Sequence, residues 1–178
     1  MIEIFLVRHG EARIPWSQGH DAGLSERGHE QAAAVATQLS PLGTHDIISS
    51  PLLRARETAL PLSRARRRVP LLDDRFQEVP IENDIARRKA WLTEVAESTW
   101  DDVDAGIADW RESAWAALGE LPRSAIIFTH FMLINALVTR ATNDPRLVSF
   151  EPDYASVTRL RFDAAGRCTL VTPGRSMA

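Results

Sequence analysis

Apolar positions along this chain fall into short continuous runs separated by longer stretches of helical period. The first run, Ile4-Phe5-Leu6-Val7 with Ile2 just ahead of it, has the character of a strand covered on both faces. Residues 22–40, AGLSERGHEQAAAVATQLS, predict a helix with Ser25 as its N-cap and Ala32, Val35, Ala36 and Leu39 on one stripe. A second short strand is predicted at HDIISSP, residues 45–51. There Ser50-Pro51 reads as an N-cap followed by proline at the first helical position, opening the helix LLRARETAL. Pro61 is expected to end or kink that helix. RVPLL, residues 68–72, is a third strand candidate.

From about 81 to 121 the helical period dominates. Val103, Ile107, Trp110, Ala114, Leu118 and Leu121 recur at spacings of three and four. Trp91, Trp100, Trp110 and Trp115 fall in the same region and are expected to serve as core or inter-helix packing. A buried-strand pattern returns at SAIIFTH, followed by the apolar helix FMLINALVTRAT. The chain then reads as two strands turning at Ala164-Ala165-Gly166. Strands alternating with helices predict an α/β fold: three α/β/α layers around a mainly parallel central sheet, with a helical insertion at about 81–121 near the site. In such sheets ligands bind beyond the carboxyl ends of the strands, so those ends are where chemistry is expected.

Composition narrows the picture modestly. At 178 residues, 44% hydrophobic and 25% charged, the sequence suits one globular domain spanning 1–178. A net charge of −3 gives no reason to expect nucleic acid or a membrane surface as a partner, so any anion site has to be a local concentration of positive charge. Cys168 is the sole cysteine and cannot form an internal disulfide. It is expected to be a buried, inert strand residue. With no charged leader and no long apolar run, the expected location is cytoplasmic.

Three predicted strand ends carry unusual residues: Arg8-His9-Gly10, Ser49-Ser50 leading to Arg54, and Thr129-His130. Each is commonplace alone, a satisfied histidine or a solvated arginine. Together they suit a phosphate monoester, which is roughly dianionic near neutral pH. Arg8 and Arg54 offer forked donors to phosphoryl oxygens, and a protonated His130 would add another. Gly10 is expected to let the backbone approach the ligand without a β-carbon in the way. His9 is then the nucleophile, attacking phosphorus through a neutral ring nitrogen. The histidines lack metal-ligand spacing such as HExxH, and no glycine-rich nucleotide loop occurs, so neither a metal nor a cofactor is expected.

The segments LVRHGEA, LSERGHEQA, SSPLLRARETA and IIFTH, in this order and over most of the chain, resemble the histidine phosphatase superfamily, also called phosphoglycerate mutase-like. The resemblance implies a phosphohistidine intermediate on His9 and a phosphate pocket made by Arg8, Arg54 and His130. It also implies a carboxylic acid that protonates the leaving oxygen and then activates water. Phe76-Gln77-Glu78-Val79 fits that pattern best, which makes Glu78 the candidate, with Asp73, Asp74 and Glu82 as competitors. Two departures stand out. Pro15 occupies a position where many relatives have a polar residue, so Ser17 or Gln18 is expected to supply that contact. Phe131-Met132 follow the second histidine where relatives often have glycine, leaving the Phe131 amide to face phosphate beside a ring that narrows the pocket. Hydrolysis of a small-molecule phosphate ester is favoured. Mutase-type transfer, dephosphorylation of protein phosphohistidine and a non-catalytic phospho-ligand binder are the alternatives. Arg87-Arg88 is either a carboxylate binder or an exposed helix face.

Overall fold

The computed structural model describes residues 1–18, 21–81, 85–95 and 97–174. Its elements are β1 (Ile2–Arg8), α1 (Glu26–Leu39), β2 (Asp46–Ser49), α2 (Leu53–Arg66), β3 (Leu71–Leu72), a 3-10 turn at Asp74–Phe76, α3 (Ile85–Glu94), α4 (Ala105–Gly119), β4 (Ala125–Thr129), α5 (Phe131–Thr142), β5 (Val157–Phe162) and β6 (Cys168–Thr172). The six strands form one sheet in the order β3-β2-β4-β1-β5-β6. The first four in that order are mutually parallel, and β5 pairs antiparallel with both β1 and β6. The expected α/β layering is therefore present, with an antiparallel pair closing one side.

Strand alternation explains the layers. Ile4 and Leu6 of β1 point to the face covered by α4 and α5, packing with Ala114, Leu118, Leu133 and Leu137. Phe5 and Val7 point to the opposite face, against Val35, Ala36 and Leu39 of α1 and Ala59 and Leu62 of α2. A third apolar cluster of Val79, Val95, Ile107, Met132 and Leu147 draws in Trp16, Trp91, Trp100 and Trp110. Those of α3, α4 and the loop between them thus pack, as the helical spacing predicts, while Trp115 sits against Phe162 at a ring separation of 5.7 Å.

Several local expectations need correction. Ser50 does not cap α2. That helix starts at Leu53 with Leu52 in the cap position, and the Leu53 amide is met instead by the Asp21 carboxylate at 2.5 Å, across 32 residues of sequence. Pro61 neither ends nor delimits α2, which runs on to Arg66 and stops at Arg67 in the left-handed region (φ 51°). The RVPLL strand shrinks to Leu71–Leu72 on the sheet edge, where both side chains are exposed. Cys168 is only half-buried, and loss of hydration pushes its thiol up to about 11.

Gly10 is required for a different reason from the one its sequence position suggests. A β-carbon there would lie 2.6 Å from the carbonyl oxygen of Gly28, and one on Gly28 would lie 2.1 Å from that of Glu11. The pair lets α1 press onto the chain leaving β1. Gly28→Ala is expected to destabilise the fold by about 2 kcal/mol, reversing the gain of about 1 kcal/mol that alanine normally brings to a helix. Chemical denaturation checks this, with Gly43→Ala, where nothing lies within 4 Å, as the neutral control.

Candidate active site

Parallel pairing of β2, β4 and β1 aligns three strand ends, with Arg8 opposite Thr129 and Ser49 opposite Phe128. This register brings His9, Ser50 and His130 into one place. The His9 and His130 ring centroids are 5.3 Å apart. Arg54, in the first turn of α2, reaches the same point and is only 2% exposed.

Two hydrogen bonds fix the protonation of His9. Its Nδ1 lies 2.7 Å from the Gly10 carbonyl oxygen, which can only accept, so Nδ1 carries the proton. Arg54 Nε donates to His9 Nε2 at 3.2 Å, so Nε2 presents a lone pair. Burial, followed by the positive charges of Arg54 and Arg8, holds the imidazole well below its ordinary pKa and therefore neutral. His130 is held neutral by the same causes, burial first and then Arg54, His9 and Arg8. Its Nε2 lies 2.8 Å from Ser50 Oγ, while Nδ1 is buried without a hydrogen bond among the described residues.

The two arginines are held differently. Arg54 keeps one terminal nitrogen, Nη2, buried with no hydrogen-bond partner among the described residues. Its helix is locked to β1 through Thr58, whose hydroxyl accepts from the Gly10 amide at 3.0 Å and donates to the Arg54 carbonyl at 2.7 Å. Arg8 donates from Nη1 to the Pro152 carbonyl at 2.8 Å, and its guanidinium carbon lies 4.0 Å from the Tyr154 ring centroid and 5.1 Å from that of Phe131. Burial lowers both guanidinium pKa values without approaching neutrality at physiological pH.

Glu78 is aimed at the site by the segment before it. The Thr129 hydroxyl donates to the Phe76 carbonyl at 2.7 Å, and Trp110 Nε1 to the Gln77 carbonyl at 3.2 Å. The Glu78 carboxylate accepts from the amides of Val79 at 3.0 Å and Met132 at 3.2 Å, the latter in the first turn of α5. Desolvation outweighs these bonds and the pull of Arg54 and Arg8, so its pKa lies above the usual carboxylate value. Asp73 is excluded as a rival, because its pairing with Arg75 holds it below the ordinary range. Asp74 is exposed and accepts from the Gln77 side chain at 3.1 Å. Glu82 lies outside the described residues.

A cavity of about 290 Å³ is lined by Arg8, His9, Arg54, Glu78, Ser17, Trp16, Phe131 and Tyr154 among others. A neighbouring one of about 360 Å³ shares Arg54, Glu78 and Trp16 with it and adds Asp21, Gln77, Trp110 and Arg88. A larger hollow of about 550 Å³, lined by residues of α3 and α4, includes none of the strand-end groups, so volume alone does not mark the site. Of the two loop candidates, Ser17 faces the cavity. Gln18 is exposed, its amide closing a turn onto the Pro15 carbonyl at 2.9 Å. Phe131 lines the cavity, while Arg88 departs from an exposed helix face. It is buried, donates to the Trp16 carbonyl at 3.1 Å and lies 5.0 Å from the Trp16 ring. Arg87 beside it is exposed. Sequence reasoning missed Tyr154 and Asp21. Tyr154 is the chain's only tyrosine and lies two residues ahead of a predicted strand, which was a usable signal; Asp21 had none.

Comparison with known proteins bears directly on this arrangement. A probable phosphoglycerate mutase GpmB of Escherichia fergusonii is 32% identical over 78% of this chain and 74% of its own length. The match to GpmB of Escherichia coli, at 34% identity, spans 68% of this chain and 58% of that protein. Among solved structures, the mycobacterial glucosyl-3-phosphoglycerate phosphatase complexed with VO3 superposes with a TM-score of 0.76 at 25% identity, covering 99% of this chain and 100% of that one. The family model of the histidine phosphatase superfamily, branch 1, matches residues 4–174, and the chain belongs to that family.

Proposed function

We propose that this protein is a phosphatase that hydrolyses a small phosphate monoester through a phosphohistidine on His9, with Glu78 as the general acid and base. The proposal rests above all on the state of His9: a neutral ring with Nδ1–H tied to Gly10 and the Nε2 lone pair in a cavity flanked by two guanidinium groups. That is the form a nitrogen nucleophile requires.

In the first step Arg54 Nε–H passes its hydrogen bond from His9 Nε2 to a phosphoryl oxygen, the freed Nε2 lone pair attacks phosphorus, and the bond from phosphorus to the ester oxygen breaks. Glu78, whose protonated form is favoured by burial, gives its proton to the departing oxygen. Arg8 and Arg54 donate to the phosphoryl oxygens as charge builds on them, and a neutral His130 adds a hydrogen bond rather than a charge. In the second step the Glu78 carboxylate takes a proton from water. The water oxygen bonds to phosphorus, the P–N bond breaks with its electrons returning to Nε2, and orthophosphate leaves. None of these steps calls for a metal or cofactor. A soluble phosphate ester is the partner that such a pocket suits, and a cytoplasmic setting fits the free thiol.

Arg88 supports a second reading. A buried guanidinium beside Glu78 is suited to a substrate carboxylate, which a phosphoglycerate mutase has to hold, and the GpmB relatives carry that name. Incubating the protein with a phosphoglycerate separates the two. Release of orthophosphate supports hydrolysis, and interconversion of positional isomers without release supports the mutase.

Turnover of an aryl phosphate is the primary test of hydrolysis. His9→Ala is expected to lose about 10³-fold or more in kcat/KM, and an acid-labile phosphoryl group should be trapped on His9 alone. Absence of turnover across a panel of phosphate esters would remove the hydrolase assignment.

Glu78→Gln is expected to slow alkyl phosphates by about 10²- to 10⁴-fold and aryl phosphates far less, because a phenolate leaves without protonation. The pH profile of kcat/KM carries the same signature. His9 acts unprotonated and its pKa is depressed, so the acid limb should lie below pH 6.5. Glu78 acts protonated and its pKa is raised above 4.5, so rates for alkyl phosphates should fall as pH rises through that value. Glu78→Gln should abolish this alkaline limb, and its persistence would assign the acid to another group.

A further inference from the structure

The segment Pro152–Ser156 is tied at several points to Arg8, the last residue of β1, and to His9, which follows it. The Arg8 amide donates to the Ser156 carbonyl at 3.1 Å, the Ala155 amide to the His9 carbonyl at 3.3 Å, and Arg8 Nη1 to the Pro152 carbonyl at 2.8 Å. The Ser156 amide closes the segment on itself through the Asp153 carbonyl at 3.1 Å. Ala155 is a non-glycine residue at φ 54°, in the left-handed region, where a β-carbon is unfavourable. Such strain persists only where the surrounding contacts over-determine it, and it commonly marks a functional segment. Here the residue beside the strained one is Tyr154. Its ring lies 4.0 Å from the Arg8 guanidinium carbon and 6.0 Å from the His9 ring, and it lines the cavity while remaining 40% exposed.

Arg8 needs such a support. One of its nitrogens is spent on Pro152, and Nε is buried without a hydrogen bond among the described residues. With one backbone hydrogen bond, at Pro152, the side chain would otherwise keep rotational freedom that is lost when its remaining terminal N–H groups meet phosphoryl oxygens. A ring face over the guanidinium restricts that freedom in advance and attracts the cation through its quadrupole.

We infer that Tyr154 is a positioning residue: its ring presets the Arg8 guanidinium for the phosphoryl group and so sets the affinity of the site for phosphate and its esters. It acts on Arg8 and takes no part in bond making. The inference rests on the phosphoryl site proposed above and adds a residue to it.

The test is orthophosphate binding to the full chain by titration calorimetry, alongside aryl phosphate kinetics. Tyr154→Ala should weaken orthophosphate binding about five- to thirtyfold. The KM for an aryl phosphate should rise in parallel while kcat changes little. Tyr154→Phe keeps the ring and should recover most of the affinity. Tyr154→Leu keeps bulk without a ring face and should not. The comparison of Phe with Leu also decides the matter if the alanine variant fails to fold. Equal affinity in the Phe and Leu variants, or a loss confined to kcat, would overturn the positioning role. If the unaltered protein binds no orthophosphate, the phosphoryl site itself falls, and Tyr154's role with it.

Discussion

Two guanidinium groups whose charges bear on the same imidazole are the constraint around which this structure is organised. Arg8 and Arg54 repel each other, and both work against a proton on His9. Such a cluster stays together only if the backbone leaves its members nowhere else to go. β1 is pinned between β4 and β5, α2 is locked to the end of β1 through Thr58, and Gly10 and Gly28 close the gap to α1. On the proposed function, an incoming dianion would relieve the cost of that confinement, its oxygens satisfying buried donors and its charge offsetting the repulsion. On that reading, affinity for a phosphoryl group would follow from how firmly the scaffold enforces an unfavourable arrangement.

Glu78 completes this balance from the other side. Its carboxylate sits where the first turn of α5 offers an amide and where both arginines attract it, influences that favour ionisation. Desolvation nonetheless prevails and raises its pKa. Its ionisation is therefore set by opposing influences, which suits the two-way proton exchange proposed for it. The precision of its placement comes from the Phe76 and Gln77 carbonyls, each clamped by a side chain from a different element.

The parts of this architecture that could be read from the sequence are those in which local pattern and global fold agree. The apolar runs ending at Arg8, Ser49 and Thr129 identified the strands, and the chemistry gathered at their ends because parallel pairing aligns them. Glu78, picked out by the likeness of Phe76-Gln77-Glu78-Val79 to a family segment, lines the same cavity as Arg8, His9 and Arg54. Errors arose where a residue answers to distant partners. Ser50 looks like a helix cap but bonds His130, while Asp21 caps that helix from across the chain. Gly10 looks like clearance for a ligand but is clearance for a helix. Arg88 looks like a solvated charge, yet Trp16, 72 positions away, shelters it. Tyr154 escaped notice because its importance depends on which strand lies next to β1 and in which direction it runs.

That direction has an architectural consequence. In a purely parallel sheet the ligand edge is furnished only by chain that is leaving its strands, so every wall is followed by a crossover helix that constrains it. β5 runs the opposite way beside β1, and its incoming segment therefore supplies the wall at Tyr154. The stretch 143–156 that feeds it is bounded by a finished helix on one side and a strand start on the other. Changes in its length or composition can remodel the mouth of the pocket while the crossovers that hold His9, Arg54 and His130 stay as they are. The antiparallel neighbour thus makes one wall of the site, and with it the placement of Arg8, depend on a segment that no crossover helix follows.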